Sequence, residues 1–128
     1  MEPTNLALAT GWIAMLGGVA SGAVMGLNFH REDWLGGYAS FRRRLTRLGH
    51  ISFFGIGFIN LAFAFTLRAM PVPVPYGEIA AWGLALAAVA MPLTCFLSAW
   101  KPSFRNLFPV PVAGVLCGIV SLLAGWLA

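Results

Sequence analysis

The sequence predicts an all-helical integral membrane protein: four transmembrane helices in an antiparallel bundle, with a short amphipathic interfacial helix before the second span. Three observations carry this. Hydrophobic residues make up 59% of the 128 and charged residues only 9%, whereas a soluble domain carries about a quarter charged residues. The mean hydropathy is +0.83. Four segments, at about 5–29, 50–66, 79–99 and 107–128, contain no Asp, Glu, Lys or Arg, and each approaches the ~20 residues of helix that cross a bilayer core. Spans of ~21 residues would use roughly 84 positions, so the whole chain is read as one transmembrane domain with no attached soluble unit.

Helix is the open structure that satisfies its own backbone hydrogen bonds in lipid, and the segments lack the alternation of barrel strands. Connections of about 20, 12 and 7 residues make consecutive helices antiparallel neighbours. The first segment is read as a retained span rather than a signal peptide, because its leading Met-Glu-Pro-Thr-Asn carries no positive charge.

Basic residues set the predicted orientation. Arg31, Arg42, Arg43, Arg44 and Arg47 fall in the first connection and Lys101 and Arg105 in the third, leaving Arg68 alone on the other side. This bias places both connections in the cytoplasm and both termini in the periplasm, across a bacterial inner membrane. Trp34, Tyr38 and Trp100 then fall at the inner interface, and Tyr76, Trp82 and Trp126 at the outer one. The net charge of +4 is a membrane-surface feature, matched to anionic phospholipids, and implies no nucleic acid.

Two faces of small residues stand out. Ala14, Gly18, Gly22 and Gly26 recur every fourth residue in the first span, and Gly114, Gly118, Ser121 and Gly125 line the fourth. Such faces let helix backbones approach closely where lipid offers no hydrophobic drive. Two readings stand side by side: both faces close this bundle, or one of them meets a partner.

Within residues 37–49, Tyr38, Phe41, Leu45 and Leu48 follow helical spacing while Arg42, Arg43, Arg44 and Arg47 take the other face. This predicts the interfacial helix, its arginines meeting lipid phosphates or a partner's carboxylates. Residues 70–77 alternate proline and read as a stiff extended turn. Pro92 interrupts the third span, and Pro109 and Pro111 suit the first turn of the fourth.

Little catalytic chemistry is written in the chain. Its carboxylates are Glu2, Glu32, Asp33 and Glu78, all outside the spans. Coupled transporters keep an ionisable group near the membrane middle, where this chain offers Asn60, Ser21 and Ser121. Asn60 reads as an interhelical hydrogen-bond partner. Cys95 and Cys117 lie inside spans without a CxxC pattern and read as small apolar residues. No enzyme activity, metal site or cofactor is therefore expected. The alternative is a small redox protein holding haem b or quinone near His30 and His50, which flank the first connection, with Met25, Met91 and the cysteines at similar depth.

The stretch YASFRRRLTRLGHISFFGIGFIN (38–60), with MPLTCFLSAWK (91–101) and LFPVPV (107–112), resembles a bacterial family of small four-helix membrane proteins. It is also similar to Arg/His-rich helix starts in the haem–copper oxidase superfamily. The resemblance covers about a third of the chain and implies a place beside a respiratory or photosynthetic electron-transfer complex. The chain departs from oxidase catalytic subunits in its length and its lack of multiple intramembrane histidines, so neither haem ligation nor a copper centre carries over. The expected function is that of a non-catalytic accessory subunit of such a complex.

Overall fold

The computed structural model describes residues 1–70 and 73–128. Four helices make up the fold: α1 (Pro3–Asn28), α2 (Phe41–Ala69), α3 (Gly77–Trp100) and α4 (Pro109–Leu127). Short 3₁₀ turns, Trp34–Gly36 and Pro102–Leu107, lead into α2 and α4. All four are long and apolar enough to cross a membrane, the fourth taken together with the turn before it. Among the described residues there is no strand.

Prolines open two of the helices where a missing N–H costs nothing. Pro3 begins α1, and Pro109 and Pro111 occupy the first turn of α4. Helix α2 starts from a side-chain cap, with the Ser40 hydroxyl accepting the Arg43 N–H at 3.1 Å. The amphipathic segment, read as running into the second span, forms from Phe41 onward the first turns of α2, which is unbroken for 29 residues. At 1.5 Å per residue α2 is roughly 43 Å long, well beyond a ~30 Å hydrocarbon core. Gly49 lies within it where α3 approaches closely: a Cβ there would lie 2.7 Å from the Phe96 ring and 3.1 Å from the Cys95 Cβ. Of the proline-rich segment at 70–77, residues 71 and 72 lie outside the described set; Tyr76 adopts left-handed backbone (φ 55°) immediately before α3.

Helices α1, α2 and α3 pack on one another, while α4 packs on α3 and touches α2 only lightly. The core is built of small residues. One cluster joins Ala7, Phe63, Ala64, Ala80, Ala81 and Leu84, and a second joins Ala14, Ile56, Ala87 and Ala88. Alanines at these crossings bring backbones together and put packing in place of the hydrophobic drive that lipid cannot supply. Large side chains point the other way: Ile13, Leu16, Phe58, Leu86, Val89, Leu116 and Val120 are all exposed. In water this surface would be a liability; facing acyl chains it is matched to its solvent.

Polar groups inside the fold bind backbone of neighbouring segments. Asn60, fully buried, donates from Nδ2 to the Ile56 carbonyl at 3.0 Å and across to Leu84 of α3 at 3.3 Å. Ser121 of α4 donates to the Pro75 carbonyl before α3.

Candidate functional site at the basic end of α1 and α2

The chain leaves α1 at Asn28 and reverses before α2. Leu35 (φ 55°), Gly36 (φ 88°) and Gly37 (φ 99°) make the reversal in left-handed backbone, which glycine adopts without steric cost and leucine does not. The Ser40 hydroxyl then serves both sides, donating to the Leu35 carbonyl at 2.7 Å while capping α2.

Arg43 organises this end. It is 2% exposed, and its guanidinium donates to the carbonyls of Phe29 (3.2 Å) and Arg31 (3.4 Å). These carbonyls follow the end of α1, where the helix dipole favours a cation. Three rings surround the same guanidinium, with its carbon 5.0 Å from the Phe29 centroid and 5.3 Å from those of Trp34 and Tyr38. Among the described residues its Nε has no partner. Arg42 donates to the Ala99 carbonyl at 3.2 Å and ties the start of α2 to the end of α3. Arg47 lies over the Tyr38 ring at 4.6 Å and reaches the Tyr38 carbonyl only at 3.5 Å. Arg44 is exposed. The four arginines, equivalent in the sequence reading, have separate roles, and the bonds they form end on backbone carbonyls rather than carboxylates.

Beside this cluster lies a cavity of about 340 Å³ between α1 and α2. Met25, Phe29 and Ile51 supply apolar walls, Gly22 and Gly26 a side without side chains, and Arg47 and His50 the polar groups. His50 is held on three sides. Its Nδ1 lies 3.0 Å from Ser21 Oγ, its ring stands edge-on to Phe54 at 5.5 Å, and its Cε1 occupies the place of a Gly22 side chain, 2.7 Å from an ideal Cβ. The Ser21 hydroxyl also lies 3.1 Å from the Gly18 carbonyl. Whichever of the two atoms donates, the contact engages His50 Nδ1 and leaves Nε2 outside it.

Comparison with family models, with curated proteins and with solved structures found no match. The reading of this end therefore rests on its own geometry.

The residues singled out in the sequence separate as follows. His50 lines the cavity and His30 does not; His30 sits exposed in the turn after α1. Cys95 is buried beneath Gly49 on the α2 side of α3, whereas Cys117 faces Gly83 in the α3–α4 contact. Met91 packs with the second alanine cluster, away from Met25. Apart from Gly26, both small-residue faces are taken up inside the chain. Gly18 lies under the Phe54 ring, and Ala14 joins α2 and α3. Gly114 meets the Gly83 backbone, Gly118 the Leu84 side chain, and Gly125 the turn at Val74 and Pro75. Gly26 has nothing within 4 Å of where its Cβ would lie. Sequence reasoning missed the Ser21–His50 pair and the place of Arg47 in the cavity. Their only trace is that Ser21, Gly22 and Met25 share a helix face, as do Arg47, His50 and Ile51.

Proposed function

We propose that this chain is a non-catalytic accessory subunit of a larger energy-transducing membrane complex in a bacterial inner membrane. What supports the reading is the use made of the polar side chains. Arg42, Arg43, Asn60 and Ser121 each hydrogen-bond the backbone of another segment, so the groups that could carry chemistry serve to hold the fold rigid. The respiratory or photosynthetic setting rests on the resemblance of residues 38–60. The exposed Arg44 suits anionic phospholipid head groups. With the small-residue faces, Gly26 apart, packed within the chain, contact with a host falls to larger outward side chains, such as Leu116, Val120 and Leu123 of α4.

Purification from native membranes in mild detergent tests the reading. Co-purifying subunits of a larger complex should be identified by mass spectrometry, and deleting this chain should lower the host's activity through lost stability rather than altered substrate affinity. A lone chain with no partner in native pull-downs would end the accessory reading.

The orientation is tested separately. With both termini periplasmic, alkaline phosphatase fused after Gly77 should be active and fused after Ser103 inactive. The reverse pattern would invert the topology.

A further inference from the structure

We propose that the cavity between α1 and α2 binds the ring of a lipid-soluble quinol or quinone, with one ring oxygen at His50 Nε2 and the opposite one at the Arg47 guanidinium. This goes beyond the accessory role and does not depend on it. Ligand sites of this kind combine an apolar enclosure with a few placed polar groups, and here the two polar groups are built in. The contact of Nδ1 with Ser21 leaves Nε2 free. In one neutral tautomer that nitrogen accepts a hydrogen bond from a quinol hydroxyl; in the other it donates one to a quinone carbonyl. Arg47 lies one turn earlier on the same helix face and lines the same cavity, so the two polar groups can meet different oxygens of one ring. Its hydrogen bond to the Tyr38 carbonyl, the one it forms among the described residues, is long at 3.5 Å, so the guanidinium keeps donors to offer.

Depth separates this occupant from a phospholipid. With Arg42–Arg44 at the head groups, His50 lies roughly 9 Å further along α2 than Arg44, while the interfacial layer is about 5–8 Å thick. A phosphate would therefore stay level with the upper arginines. An uncharged ring with polar oxygens is at home at the depth of His50. The entrance is lateral: Gly26 and Ile51 are exposed on the flank that faces the acyl chains, and an isoprenoid tail can leave along them.

The test uses the full chain in phosphatidylcholine nanodiscs, titrated calorimetrically with decylubiquinol and decylubiquinone against empty discs. Saturable binding of one ligand per chain is expected. Gly26→Leu starts from a Cβ with no described neighbour within 4 Å and extends into the cavity, so it should abolish saturation while leaving the unfolding temperature close to that of the wild type. Arg47→Gln removes a charge-assisted hydrogen bond and should weaken binding about tenfold; it decides the matter if Gly26→Leu does not fold. Heat no greater than that of empty discs would overturn the proposal, as would wild-type affinity in either folded variant. Loss of binding in discs containing phosphatidylglycerol would also overturn it, by identifying a phosphate as the occupant.

Discussion

Arg43→Ala should cost about 3–5 kcal/mol of stability, the sum of two charge-assisted hydrogen bonds and a desolvated cation–π box. The guanidinium is the one group that reaches both Phe29 and Arg31 carbonyls while filling the space among Phe29, Trp34 and Tyr38. An alanine would leave a void among those rings and return the end of α1 to whatever water can reach it. Lysine should not rescue the loss, because a single ammonium cannot bridge two carbonyls in one plane while stacking on a ring. Arg44→Ala, one residue on and exposed, should fall within about 0.5 kcal/mol of wild type. Arg42→Ala should fall between them, through the lost bond to Ala99. Unfolding in mixed micelles, with trypsin cleavage at the first connection as a local readout, would rank the three. Equal costs for the Arg43 and Arg44 variants would refute the separation of roles.

The contrast among these arginines shows where the sequence could be read and where it could not. Uncharged runs of helix-spanning length reveal four helices because lipid imposes one rule on every residue in a span. Proline at the start of α4 and serine before α2 mark their ends by local chemistry alone. Arg43 and Arg44, however, are neighbours with the same side chain. What distinguishes them is the return of residues 29–38 over one and not the other, a long-range event with no local signature. Ser21 and His50 are 29 positions apart in sequence, and they meet only because α1 and α2 run in opposite directions at one register. Gly11 facing Leu61, Gly18 facing Phe54 and Gly22 facing His50 define that register. The four-residue spacing of the glycines was legible; the surface each would meet was not, since a bare helix face suits a partner's helix as well as the chain's own.

That last ambiguity gives the sharpest mutational contrast in the molecule. Gly114→Leu should detach α4. A Cβ at Gly114 would strike the backbone carbonyl of Gly83 and crowd the Ala87 Cβ, and a backbone atom cannot rotate aside as a side chain end can. The two helices must move apart, and α4 has little other support, since it packs on α3 and only lightly on α2. Overpacking of this kind costs about 1–3 kcal/mol in a core that can adjust, and this contact has little freedom to do so. Gly26→Ala is the matched control: with open space around it, the substitution should be neutral or stabilising by up to about 1 kcal/mol through helix propensity. A disulfide can report the α3–α4 contact directly. The Cys117 Cβ lies 3.5 Å from the ideal Cβ position of Gly83, at the short end of the ~3.5–4.5 Å that a disulfide spans. In a Cys95→Ala background, Gly83→Cys, whose Cβ would lie 3.1 Å from the Gly114 carbonyl oxygen and needs a shift of only a few tenths of an ångström, should cross-link to Cys117 under mild oxidation and change the mobility of the chain on a non-reducing gel. Adding Gly114→Leu should remove that cross-link while leaving the chain membrane-inserted, because leucine makes the span more hydrophobic. If the cross-link formed equally well with leucine at 114, α4 would not depend on the glycine contact, and the small-residue face would again be free for another partner.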